Sequence, residues 1–162
     1  DDILCHYEEH ISRCKMRLLI QRVKNAEVWI DGQLHSSTGM GLLILHGTKT
    51  TDREESCGIL ADKVVNLRIF EDEQGKMNLS AIDIAAEIMI VSQFTLYADT
   101  RKGRRPAFTE AMPPAEAERL YNKFIELVRA SGLKTETGVF GAKMDIKLTN
   151  HGPVTILLEH DV

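Results

Sequence analysis

The chain has 162 residues, of which 43% are hydrophobic and 27% charged, and its formal net charge is −4. That length fits one domain with a sizeable core, and the acidic balance argues against a broadly basic nucleic-acid coat while leaving room for a local basic patch. No apolar run reaches a membrane span, nothing resembles a secretory signal, and three cysteines without CxxC spacing point to reduced thiols in a cytoplasmic setting.

Residues 1–15 mix charges with Cys5 and Tyr7 and lack the patterning that opens at Met16. They are expected to be a frayed extension, with 16–162 as the folded domain. His6 and His10 have the i, i+4 spacing of a helical metal pair, but nothing else completes a ligand set and no metal site is assigned.

From Met16 the pattern is that of sheet. Residues 17–23 are strand-like, and residues 27–30, Asp31-Gly32 and Gln33-Leu34 read as a hairpin around a favoured turn dipeptide. Gly41 to Gly47 is a continuous apolar run, expected to be a central strand buried on both faces, with His46 a satisfied core or edge histidine rather than a catalyst. Asp52 can cap a helix that carries Cys57, Leu60, Ala61, Val64 and Leu67 on one side, Cys57 acting as a small buried hydrophobe. Residues 68–70 follow as a short strand and 71–76 as a polar turn. A second central strand, 87–91, delivers Ser92-Gln93-Phe94-Thr95 at its C-terminal end, where a rigid sheet presents side chains and backbone amides to a ligand.

Arg101, Lys102, Arg104 and Arg105 form the one dense basic cluster, which reads either as a solvated loop or as a phosphate-contacting surface. Pro113 and Pro114 suit the first turn of a second helix, striped by Ala117, Leu120, Tyr121, Phe124, Leu127 and Val128 and stopped by Gly132. Two strand-like runs, 143–149 and 154–158, then flank Gly152-Pro153. Proline cannot donate to a ladder, so this step belongs at an edge, a bulge or a turn, and Gly152 allows a backbone or ligand to come close. The order of elements describes an α+β or mixed-sheet domain with helices on one side. Neither Ser92 nor Thr95 sits in a GxSxG elbow or can be linked to a histidine, and no Walker A, GxGxxG or HExxH motif is present.

Residues 16–23, residues 66–70, the Ser92 to Leu96 segment, Arg101 to Phe108, and Asn150 to Thr155 together resemble the D-aminoacyl-tRNA deacylase (D-tyrosyl-tRNA deacylase) family, in the family's order. The SQxTL and NxGPVT motifs are specific as a pair. The resemblance implies a three-layer β/β/α fold of two packed mixed sheets with helices on one face. It implies a homodimer that hydrolyses the ester between a D-amino acid, or glycine, and the 3′-terminal adenosine of tRNA. No cofactor is expected. Gly152-Pro153 would be cis and inserted into the partner's site, its carbonyls accepting the ammonium group and leaving no room for an L side chain.

An aminoacyl ester is already activated, so positioning plus oxyanion donors suffice. Backbone N–H groups around Phe94 and Thr95 are the candidate donors, and the resemblance implies that the tRNA's own 2′-hydroxyl assists. Thr95 lacks an adjacent base and is read as a positioning group rather than a nucleophile. Ser92 and Gln93 would hold the adenosine end. Phe140 is either a stacking surface for the base or a core aromatic, and Arg22 either props the Gly-Pro motif or is a surface charge. Two other classes stay open: a non-catalytic RNA-binding module, which releases no amino acid, and a hydroxyl-nucleophile esterase, which leaves an acyl group on Ser92 or Thr95.

Overall fold

One long strand, β1 (Lys15–Ile30), organises the computed structural model, which describes residues 15–161. Beyond the Asp31-Gly32 turn, β1 pairs antiparallel with β2 (Gln33–Thr38) through its second half and with β3 (Gly41–Gly47) through its first half. Asp31 and Gly32 have φ of 50° and 74°, the left-handed values that let a two-residue turn match the twist of its strands. Two helices, α1 (Glu54–Asn66) and α2 (Pro114–Arg129), are separated by a two-stranded ribbon of β4 (Phe70–Glu71) and β5 (Met77–Leu79) and by β6 (Glu87–Ser92). β6 pairs in parallel with β3 and with β7 (Thr135–Thr137), and β8 (Asp145–Asp161) runs antiparallel along β1.

These six strands are hydrogen-bonded as one mixed sheet that folds over itself. The register of β1 shifts between Gln21 and Asn25, and such irregularities re-aim the side chains that follow. Met16, Leu18 and Ile20, before the shift, enter a core with Leu42, Ile44, Ile88 and Ile90 and with Cys57, Leu60, Leu120 and Phe124 of the helices. Val23, within it, and Ala26 and Val28, after it, enter a second core with Leu43, Met89 and Val91. The Ser36 hydroxyl of β2 donates to the Thr137 carbonyl of β7 at 2.7 Å, tying the two sheet layers together. The result is the expected β/β/α stack. β3 and β6 send alternate residues to opposite cores, which is why each reads as an unbroken apolar run.

Three expectations need correction. Asp52 does not cap α1, whose N-cap position is Arg53 without a side-chain bond. One residue too early, the Asp52 carboxylate instead accepts the Lys49 N–H at 2.6 Å, and burial pushes its pKa up to about 6. Leu67 lies just past α1 and Leu127 is half-buried, while Ile125 is buried on α2. The two C-terminal runs are a single strand, because both continue the same partner, β1. Residues 1–14, with His6 and His10, lie outside the described residues, and Lys15 already belongs to β1. Among the described residues, no group of three His, Cys, Asp or Glu side chains is placed to hold a metal, and no helix is long and apolar enough to cross a membrane.

Candidate active site

Parallel pairing makes the C-terminal ends of β3 and β6 coincide, so His46 stands beside Ser92. The Gln93 N–H donates to the His46 carbonyl at 2.7 Å, after which the chain leaves the sheet in a 3-10 turn, Phe94–Tyr97. With the start of α2 and residues 140–146, these strand ends enclose a mainly apolar cavity of about 410 Å³. Ser92, Gln93, Phe94 and Phe140, expected as site residues, all line it, joined by Met112 and Met144. Phe140 is half-buried, with its ring 5.8 Å from that of Tyr121. It is therefore both a wall of the cavity and part of the core edge.

Thr95 is exposed and its hydroxyl accepts the side-chain amide of Gln93. No acid or imidazole among the described residues hydrogen-bonds to it. His46 also lines the cavity, which its sequence position did not reveal. Its ring packs 4.9 Å from Phe124 and 5.7 Å from Tyr121, and burial pushes its pKa down to about 3. The imidazole is neutral, and its Nε2 has no partner among the described residues, so it is not the satisfied histidine expected.

A second cluster lies on the β1/β8 ladder. Gln21 pairs with Thr155 and Val23 with Asn150, leaving Arg22 alone opposite His151, Gly152, Pro153 and Val154. Setting four residues against one forces the β8 backbone outward as an extended bulge, and the Gly-Pro step is in that bulge rather than in a turn. Arg22 is only 3% exposed. Its Nε donates to the His151 carbonyl and its Nη1 to the Ile69 carbonyl, both at 2.8 Å, with Glu71 3.7 Å from Nη2. The surface-charge reading of Arg22 is thereby excluded. Gly152-Pro153 is a cis peptide. Gly152 has φ of 127°, and a Cβ there would stand 2.9 Å from Arg22 Nη2. Gly152 and Pro153 are exposed, and neither lines the cavity of its own chain.

The basic loop is a closed excursion. Asp99 and Ala107 exchange backbone hydrogen bonds of 2.7 and 2.9 Å at its neck, and residues 100–106 are exposed. Arg101 folds back on Asp99, Nε to Oδ1 at 2.9 Å and Nη2 to Oδ2 at 2.7 Å, which pulls the Asp99 pKa down to about 2. Lys102, Arg104 and Arg105 make no ion pair among the described residues. Phe108, just past the neck, meets Phe94 with ring centroids 5.1 Å apart. Nothing in the sequence pattern had singled out Phe108 as a neighbour of the cavity.

The sequence pattern of the D-Tyr-tRNA(Tyr) deacylase family matches residues 19–159. A D-aminoacyl-tRNA deacylase of Thermomicrobium roseum is 56% identical over 144 residues, covering 89% of this chain and 94% of the relative. One from Bacillus velezensis is 52% identical over 144 residues, covering 89% and 98%. The solved structure of the c-Myc DNA Unwinding Element Binding Protein superposes with a TM-score of 0.84 at 41% identity, over 90% of this chain and 99% of its own. A probable eukaryotic D-amino acid tRNA deacylase gives 0.80 at 16% identity, over 90% and 100%, a likeness of fold. The matched region takes in the cavity, the basic loop and the Arg22 bulge alike, and this chain belongs to the D-Tyr-tRNA(Tyr) deacylase family.

Proposed function

We propose that this protein hydrolyses the ester linking a D-amino acid, or glycine, to the 3′-terminal adenosine of tRNA, with the cavity at the ends of β3 and β6 taking that adenosine. The observation that carries the reading is the meeting of Ser92, Gln93, Phe94 and Phe140, distant in sequence, around one apolar cavity in a chain 56% identical to a D-aminoacyl-tRNA deacylase. A purine is flat and apolar on its faces, and Phe140 offers it a stacking wall. Ser92 and Gln93 supply polar contacts at the rim.

In this reading, water adds to the ester carbonyl carbon, the oxyanion forms, and the bond to the ribose 3′-oxygen then breaks as that oxygen takes up a proton. The first N–H groups of a helical turn lack an intrahelical acceptor, and here they belong to Phe94 and Thr95. Directed at the developing oxyanion, they stabilise the transition state. The neighbouring 2′-hydroxyl of the tRNA assists. Thr95, bonded to an amide rather than to a base, positions Gln93. Chirality is read by the Gly152-Pro153 carbonyls, which meet the amino group and exclude an L side chain. The exposure of that bulge, and its absence from the cavity of its own chain, support its delivery by a second subunit of a cytoplasmic homodimer. Lys102, Arg104 and Arg105 hold the tRNA backbone, and Arg101 braces their loop.

The test is release of amino acid from matched D-, L- and glycyl-tRNA. Selective D and glycyl release is expected. Release from no substrate leaves an RNA-binding module, and an acyl group retained on Ser92 or Thr95 establishes a hydroxyl-nucleophile esterase. Mixing a Gly152→Val chain with a Phe94→Ala chain tests the shared site: activity should rise above that of either variant alone.

A further inference from the structure

Within one chain Phe94 and Phe108 are 58% and 37% exposed, a large aromatic surface at the mouth of the cavity. Their rings meet at 68°, an edge-to-face contact in which each covers at most one face of the other. Phe94 also lines the cavity, so the pair continues outward the surface on which the terminal nucleoside is read. The chain after Phe108 returns to the same wall: Met112 lines the cavity and donates its N–H to the Thr48 carbonyl at 3.1 Å. On the other side of Phe108 stands the closed basic loop, with Lys102, Arg104 and Arg105 exposed and without ion pairs among the described residues.

We infer that Phe94 and Phe108, together with Lys102, Arg104 and Arg105, form one binding surface for the unpaired ribonucleotides that precede the terminal adenosine. Stacking rings beside a basic track are what single-stranded nucleic acid needs, since every unpaired base has a free face and every linkage a negative charge. A duplex offers no free base faces to such rings. A second copy of this chain, with its net charge of −4, lacks the regular array of phosphates that three unpaired cations match. This inference rests on the deacylase reading and extends it: the terminal nucleoside enters the cavity, and the preceding nucleotides leave along Phe94 and Phe108.

The experiment compares one D-amino acid esterified to adenosine, to a trinucleotide ending in adenosine, and to whole tRNA, using wild type, Phe108→Ala and Phe108→Tyr. Phe108→Ala should lower kcat/KM about tenfold on the trinucleotide and on tRNA, through KM, while the adenosine ester stays within about twofold. Phe108→Tyr, which keeps a ring, should restore both. Binding of the unacylated trinucleotide, followed by fluorescence titration, should weaken about tenfold in Phe108→Ala and be flattened in its salt dependence by Lys102→Ala with Arg105→Ala. An equal loss on all three esters makes Phe108 a mere support for Phe94 and overturns the inference. So does unchanged trinucleotide binding, or a change in oligomeric state on ultracentrifugation, which assigns the patch to a subunit contact. Because trinucleotide binding is read without turnover, an inactive wild type counts against the deacylase reading and leaves the surface to be judged by titration.

Discussion

Arg22 donates through Nε to the carbonyl oxygen of His151 at 2.8 Å, joining residues 129 positions apart in the chain. The same guanidinium reaches the Ile69 carbonyl, so a single buried side chain in β1 fixes both the root of the Gly-Pro bulge and the segment before β4. An ammonium group lacks that planar fork. Arg22→Lys should therefore lower stability by about 2 kcal/mol and loosen the bulge, so that release from L-aminoacyl-tRNA rises relative to D. Urea unfolding and paired D and L rates check this. A destabilised variant with its D/L ratio intact would separate Arg22 from selectivity.

Gly152 has no room for a side chain. At φ of 127°, with Arg22 Nη2 2.9 Å from where a Cβ would stand, alanine is strained by its backbone and by its neighbour. Gly152→Ala should cost about 1–3 kcal/mol and, in the proposed site, reduce D-aminoacyl release at least ~10-fold, because a bulge pushed away from Arg22 displaces the carbonyls offered to the amino group. Full D activity in this variant would remove Gly152 from the site.

Thr95 should prove dispensable as a nucleophile. Its hydroxyl is engaged by the Gln93 amide and no base among the described residues bonds to it, so Thr95→Ala should retain activity within about tenfold of wild type. Mass spectrometry during turnover should find no acyl group on residue 95. A trapped acyl-enzyme there refutes the water-attack mechanism.

Two buried groups should shape stability against pH in opposite senses. His46 is held down to about 3 from its ordinary 6.5, so its contribution is complete above the ordinary value and is lost as pH falls toward 3. Asp52 is raised to about 6 from 3.8, so its contribution is present below the ordinary value and is lost as pH rises through 6. His46→Leu should flatten the acid side of the stability profile. Asp52→Asn keeps an acceptor for the Lys49 N–H and should gain roughly 1–2 kcal/mol at neutral pH. Urea unfolding across the pH range measures both.

The basic loop should reveal itself through salt. Replacing Lys102 and Arg104 with alanine should weaken binding to all tRNAs alike and reduce the slope of log K against log salt by about 1.5. Arg101→Ala should act differently: its guanidinium is committed to Asp99, so the loss should appear as a looser loop, read by hydrogen exchange at Asp99 and Ala107, rather than as a full unit of slope. An unchanged slope in the double variant returns the loop to the solvated surface.

What the sequence by itself determined is the central strands, the hairpin, the helices and the motifs, although it divided β1 and β8 into two runs each and did not mark β5 or β7. Unbroken apolar runs at Leu42 to Leu45 and at Ile88 to Val91 mark strands buried on both faces, the Asp31-Gly32 dipeptide marks a hairpin, and Pro114 marks the first turn of α2. These are local consequences of side-chain periodicity and backbone freedom, so they are legible from neighbours in the chain. Resemblance likewise located Ser92 to Thr95 and Gly152-Pro153. The tertiary structure decided what those residues touch. Arg22 reads as a lone strand arginine until β8 passes beside it with three extra residues. His46 reads as a core histidine until parallel pairing sets it beside Ser92 at the cavity. Phe108 reads as the tail of a basic loop until the Asp99–Ala107 neck swings it onto Phe94. Each of these depends on strand register or loop closure between distant segments, and long-range pairing is the information that periodicity within one segment does not contain.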